Sequence, residues 1–151
     1  MPLSITPAAP PDIPALIELL EILFSLEQDF QPDADKQRRG LEMLLARPDN
    51  GVILLARHAT AGVVGMVSAQ LVISTASGAP SAWVEDVVIR PEFRAGCLGR
   101  RLLDAVSEWA VAHGARRLQL LADADNAPAL GFYRHLDWQA TRLFAWRKFP
   151  S

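Results

Sequence analysis

The sequence predicts a mixed α/β fold of the α+β kind: a mostly antiparallel central sheet of about six or seven strands flanked by about four helices. Three observations carry this. Three strand-like runs follow one another from Val52 to Ile89 with only short turns between them, and such neighbours must be antiparallel. The apolar run Trp83–Ile89 then leads through a Gly-containing loop into an amphipathic stretch and on to Leu118–Leu121. Strands on either side of such a crossover helix are parallel. Before these strands, two segments repeat apolar residues at helical spacing. The 151 residues read as one domain, 1–151, long enough to bury a full core.

Each element has a local reason. Ser4–Thr6 is a short first strand, stopped by Pro7, Pro10 and Pro11. Asp12 is placed to cap a helix with Pro14 in its first turn, and Ile13, Leu16, Ile17, Leu20, Leu23 and Phe24 form its apolar stripe. The stretch 27–35 breaks that period. A second helix carries Leu41, Leu44 and Leu45 until Pro48-Asp49-Asn50-Gly51 ends it. Val52–His58 and Val63–Ser74 are rich in β-branched and aliphatic residues and read as strands. Trp83–Ile89 is a central strand, apolar except for Glu85 and Asp86. Leu98, Leu102, Val106, Trp109 and Ala110 mark the crossover helix, closed by His113-Gly114. Asn126 caps a last short helix with Pro128 in its first turn, and two strand-like pieces follow from Trp138 to Lys148.

Bulk properties exclude several classes. A net charge of −2 offers no general attraction for nucleic acid. No apolar stretch reaches the ~18–20 residues of a membrane span, and Met1-Pro2-Leu3-Ser4 does not open a signal peptide. One cysteine forms no intrachain disulfide and suits a reducing compartment, so a cytoplasmic protein is expected. The three histidines, His58, His113 and His135, show no metal-ligand spacing, and no metal is expected.

The chemistry concentrates where Trp83–Ile89 gives way to the next helix. A strand, a short loop and a helix start bring successive backbone N–H groups to a helix N-terminus, where an anion is favourably held. Arg94, Arg100 and Arg101 add local positive charge, suited to a small phosphorylated ligand. Cys97 invites a rival reading as a nucleophile with a lowered pKa. However, Gly96-Cys97-Leu98-Gly99 does not fit a nucleophile elbow, and position 103 is Leu where a phosphatase loop needs Arg.

Two motifs resemble the GNAT superfamily of acetyl-CoA-dependent N-acyltransferases, over nearly the whole chain. Arg94-Ala95-Gly96-Cys97-Leu98-Gly99 is similar to the family's Arg/Gln-x-x-Gly-x-Gly/Ala loop, with Cys97 in place of its middle glycine. Asn126-Ala127-Pro128-Ala129-Leu130-Gly131-Phe132-Tyr133 is similar to its Asn-x-x-Ala-x-x-Phe-Tyr helix, with Asp137 where a glycine usually follows. The resemblance implies acetyl-CoA as cofactor. Its pantetheine arm would lie along Val87, Val88 and Ile89, with Val88 or a neighbour donating an N–H to the thioester carbonyl. Its pyrophosphate would sit on the N–H groups from Ala95 through Arg100, with Asn126 nearby. The resemblance also implies Tyr133 as the general acid for the departing thiolate.

Transfer to an amine needs a base, since amines arrive protonated at neutral pH. Glu85 is the first candidate, directly or through a water. The competing reading makes Glu85 or Asp86 a structural partner, and strand alternation would put the two on opposite faces. The irregular stretch with Glu27, Asp29 and Phe30 would lie over the acceptor side and attract a cationic small amine. The function implied is direct transfer of an acetyl group from acetyl-CoA to a primary amine. The alternative is a non-catalytic acyl-CoA-binding sensor or partner-binding module. A homodimer is the default assembly, and Trp138, Phe144, Trp146 and Phe149 would serve either its interface or the core.

Overall fold

The structure, a computed structural model, describes residues 3–26 and 31–150. These fall into two compact units, 1–121 and 122–151.

Among the described residues the first unit holds five strands and three α-helices: β1 (Leu3–Pro7), α1 (Ile13–Leu26), α2 (Ala34–Leu45), β2 (Gly51–His58), β3 (Gly62–Ser74), β4 (Ala79–Ile89), α3 (Leu98–Ala112) and β5 (Leu118–Leu120). The sheet runs in chain order, β1 to β5. The first four strands are antiparallel, and β4 and β5 are parallel, as a crossover through α3 requires.

The helices divide between the two faces. Ile13, Leu16, Leu19 and Leu20 of α1 and Leu41 of α2 bury against Ile53, Leu55, Val63, Met66 and Val88. On the other face, Ala110 of α3 packs on Ala82, with Trp109, Leu71 and Leu118 around them. Ile53 and Leu55 share a face because strand side chains repeat every second residue.

The entry to α1 differs from expectation. A 3-10 turn, Pro10–Asp12, precedes the helix, so Ala9 sits at the cap and Asp12 inside the first turn. The Asp12 carboxylate accepts from the Ala9 N–H at 2.9 Å and from Arg57 at 2.8 Å. Burial alone would raise its pKa, but these two bonds and the Arg57 charge outweigh burial and hold it below its ordinary value. Asp33 caps α2 as its side chain accepts from Lys36 N–H.

Two bulges re-phase the central strands. The β2–β3 register slips between Ala56 and Arg57, which puts Val63 and Met66 on the α1 face although they are three residues apart. On β4, Met66 pairs with Val88 while Ser68 pairs with Glu85, so β4 holds one extra residue there. Asp86 absorbs it in the left-handed region at φ 54°. As a result Val88 joins the α1 core, whereas Ala82, an even number of residues away, packs on α3.

The second unit carries α4 (Ala127–His135). Asn126 caps it, its side chain accepting from Ala129 N–H at 3.2 Å. Its other end is closed by Asp137 at φ 70°. Trp138 N–H donates to Tyr133 C=O at 2.9 Å and Asp137 N–H to Arg134 C=O at 3.0 Å. This is the Schellman pattern, and the Trp138 ring lies 6.0 Å from the Tyr133 ring as its hydrophobic contact. Asp137→Gly removes the left-handed penalty and is expected to stabilise the fold by about 0.5–1 kcal/mol. The check is a higher urea midpoint at unchanged slope.

The expected strands between Trp138 and Lys148 are absent: among the described residues nothing after β5 is strand, so the sheet has five strands rather than six or seven. That segment has the apolar content of a strand, but a strand exists only through its pairing, which composition does not supply. Leu143, Phe144, Trp146 and Phe149 are all strongly exposed.

Candidate active site

The bulge and the short β5 together shape the first unit's site. β5 pairs with β4 only at Ala82, Trp83 and Val84. From Glu85 to Ile89 the outer edge of β4 has no strand beside it among the described residues. An extended chain can pair with such an edge as an added strand. Val87 and Ile89 are half-buried, and Val88 is buried against α1.

β4 runs into the loop Arg90–Cys97. Arg90 anchors it, donating to Val63 C=O at 3.1 Å and pairing with Glu18 at 2.8 Å. Arg94 folds back to donate from Nε to Ile89 C=O at 2.9 Å. Ala95, Gly96 and Cys97 are exposed, while Leu98 and Gly99 are buried. Cys97 is the N-cap of α3 and makes no side-chain capping bond. The first intrahelical bond runs from Arg101 N–H to Cys97 C=O at 3.0 Å. The N–H groups of Leu98, Gly99 and Arg100 precede it and have no partner within the helix. This is the arrangement that holds an anion. Arg100 lies along the helix, 3.9 Å from Asp104, in a pair exposed enough to contribute little.

Beside this loop, Glu21, Ile22, Ser25 and Leu26 of α1 with Pro91 and Arg94 line an open cleft of about 360 Å³. Sequence reasoning missed Glu21 and Ser25. Their spacing of four on the α1 face opposite the core stripe was the available signal.

The carboxylates depart from the expected arrangement. Glu85 is exposed, and its carboxylate accepts from the Trp83 indole N–H at 2.6 Å. Asp86 is half-buried. The Ser68 hydroxyl donates to Glu85 C=O at 3.1 Å and lies 3.4 Å from Asp86 Oδ2. Opposite faces were expected from simple alternation, but the left-handed bulge breaks it and turns Asp86 toward the Ser68 side. Glu27, Asp29 and Phe30 lie outside the described residues.

His58 accepts from the Thr60 and Ala61 N–H groups of its own turn, and His113 stacks on Trp109 at 4.4 Å. Among the described residues, no cluster of His, Cys, Asp and Glu suits a metal ion. No helix among them is long and apolar enough to cross a membrane.

In the second unit, Asn126 and Tyr133 occupy the two ends of α4. Tyr133 packs between Phe132 at 5.6 Å and Trp138 at 6.0 Å, measured between ring centroids. Burial pushes its phenol above the ordinary value, because the phenolate is the form that loses hydration.

The model of the acetyltransferase (GNAT) family matches residues 15–138. The chain belongs to that family. A search of the curated proteins finds no match. Among solved structures, this GNAT domain is similar to a possible acetyltransferase from Clostridium difficile 630, at 15% identity and TM-score 0.86 over 100% of this chain and 99% of that one. It is similar to glucosamine-6-phosphate N-acetyltransferase from Arabidopsis thaliana, at 18% identity and TM-score 0.78 over 98% and 99%. It is also similar to an aminoglycoside N-acetyltransferase in complex with CoA, at 19% identity and TM-score 0.80 over 97% and 94%. At these identities the structures establish the shared fold, while the family match establishes the membership.

Proposed function

We propose that this GNAT acetyltransferase moves an acetyl group from acetyl-CoA directly to the primary amine of a small molecule. The observation that carries this reading is the stretch Glu85–Ile89, with no strand on its outer side among the described residues, followed through the loop Arg90–Cys97 by the N-terminus of α3, which has no side-chain cap. An extended arm ending in a pyrophosphate fits that sequence of groups: backbone pairing along the edge, then N–H donors at the helix start. Val87, Val88 and Ile89 take the pantetheine arm, and a backbone N–H among them meets the thioester oxygen as charge develops on it. Arg94, Ala95, Gly96, Cys97, Leu98, Gly99 and Arg100 take the pyrophosphate, and Asn126 is a further candidate to bind the cofactor.

Glu85 accepts the ammonium proton, directly or through a water, which its exposure allows. The freed amine attacks the thioester carbon, the C–S bond breaks as the tetrahedral intermediate collapses, Tyr133 protonates the departing CoA thiolate, and the proton shed by the new amide nitrogen restores the phenol through solvent. Raised by burial, the phenol arrives protonated at every neutral pH. Glu27, Asp29 and Phe30 are the candidates for recognising the acceptor. Two of the similar structures are enzymes of amino-sugar substrates, glucosamine-6-phosphate and an aminoglycoside, which supports a polar amine as acceptor.

Calorimetric titration with acetyl-CoA, followed by a thiol-release screen over amines, tests the reading. Micromolar binding and amine-dependent CoA release are expected. Cys97→Gly is expected to tighten binding by about 3–10-fold, as loss of the side chain lets phosphate approach the backbone. Glu85→Gln is expected to cost about 100-fold in kcat with acetyl-CoA binding intact. Binding without release to any amine would favour the acyl-CoA sensor, and no binding would remove both readings.

A further inference from the structure

We propose that Trp83 is a positioning residue whose indole N–H holds one oxygen of Glu85 so that the other meets the acceptor ammonium, a role that rests on the reading of Glu85 as the base. The two residues stand on one face of β4, two positions and roughly 7 Å apart along the strand. The indole spans that gap and donates from Nε1 to Glu85 Oε1 at 2.6 Å. A donor this close to an ionised carboxylate makes a charge-assisted bond, one of the stronger kinds.

The backbone beneath Glu85 is tied as well. Ser68, its register partner on β3, is only 2% exposed and donates from Oγ to Glu85 C=O at 3.1 Å. Asp86, at φ 54°, opens the bulge at the next residue. Met66, which belongs to the α1 core, is followed on the same face of β3 by Ser68 and Gln70. Glu85 and Trp83 pair with Ser68 and Gln70, so both stand on the α1 face of the sheet. None of the ion pairs among the described residues takes the Glu85 carboxylate.

An untied glutamate spreads over many rotamers, whereas proton transfer needs the accepting oxygen within hydrogen-bond reach of the proton. With Oε1 taken by the indole, Oε2 is the oxygen left to act. It takes the proton as the ammonium N–H bond breaks, the electron pair stays on nitrogen for attack on the thioester, and solvent later removes the proton from the carboxyl group. Trp83 acts only through Glu85.

The bond itself can be followed without any substrate. In the isotope-labelled full chain the four tryptophans give four indole N–H resonances. The one that Trp83→Phe deletes is expected to be the one that Glu85→Gln moves upfield, since an uncharged amide oxygen accepts more weakly than a carboxylate. A resonance that Glu85→Gln leaves in place overturns the proposal. The kinetic test follows CoA release from acetyl-CoA with the amine that gives the fastest release in the screen. Trp83→Phe is expected to lower kcat about 10-fold, the effect of losing a hydrogen bond to a charged group, with acceptor KM and acetyl-CoA Kd within about twofold. In a Glu85→Gln background the same substitution is expected to change kcat by less than about twofold, because it acts through a group already removed. Effects that multiply across the two substitutions, or a Trp83→Phe loss that falls on affinity alone, assign Trp83 to packing and overturn the proposal. Trp83→Phe at the wild-type rate beside a slow Glu85→Gln removes the role of Trp83 and leaves the base in place. Glu85→Gln at the wild-type rate, or no release with any amine, removes the base and the role of Trp83 with it.

Discussion

Replacing Tyr133 by Phe is expected to lower kcat by about 100–1,000-fold while leaving acetyl-CoA affinity within about twofold. The reason lies in what the substitution deletes. Phe fills the same place between Phe132 and Trp138, so packing and the closure of α4 survive. Only the hydroxyl goes, and with it the proton for the leaving thiolate, an effect of the size usual for a general acid. An interaction made only in the transition state reduces kcat and kcat/KM together. The phenol can also be followed directly, because Tyr133 is the only tyrosine of the chain. Its phenolate absorbance is expected to rise at a pH above that of free tyrosine, since burial opposes the anion. The linked stability has a definite sign. With the folded pKa raised above the unfolded one, the native state binds more protons in that interval. The contribution is complete below the ordinary tyrosine value of about 10 and is lost as pH rises through the folded value. A titration midpoint at or below that of free tyrosine would show an exposed phenol and remove the basis for the role.

The second large effect concerns the bulge. Asp86→Val is expected to destabilise the protein by about 2 kcal/mol or more, whereas Asp86→Gly stays within about 0.5 kcal/mol. At φ 54° a β-branched side chain collides with its own backbone, while glycine accepts the conformation without cost. The valine variant can relieve the strain only by regularising β4. That shift would turn Val88 away from the α1 core and change which groups the open edge presents. Acetyl-CoA affinity is therefore expected to fall by at least tenfold in Asp86→Val and by less than threefold in Asp86→Gly. Chemical denaturation and calorimetry on the pair read both quantities. Equal stability of the two variants would mean that the left-handed geometry at Asp86 does not hold the strand in phase.

Much of this architecture was legible in the chain because its signals are local. The stripe from Ile13 to Phe24, the turn at Pro48–Gly51 and the period of Leu98, Leu102 and Val106 each follow from the neighbours in sequence. The same holds for caps: Asn126 bonds the third residue after it, and Asp137 tolerates the left-handed turn that closes α4. The loop from Arg94 to Cys97 was legible for the same reason, since a strand end and a helix start are local signals.

Other features depend on residues far apart in sequence, and periodicity does not report them. Whether Glu85 and Asp86 share a face depends on the register between β3 and β4. The bulge that decides it is set by Met66 and Ser68 across the sheet. The reach of the open edge depends on how few residues of β5 pair with β4. The stretch from Trp138 to Lys148 has a strand's composition yet no strand, because strand composition supplies a willing segment and only a neighbouring edge supplies the hydrogen bonds. By itself, then, the sequence determined the order of the elements as far as α4, the caps and closures such as those of α4, and the family, all of which rest on short-range chemistry. Only the tertiary structure decided the phase of β4, the carboxylate that faces solvent and the strand count, because each of these is a relation between backbones that meet only after folding.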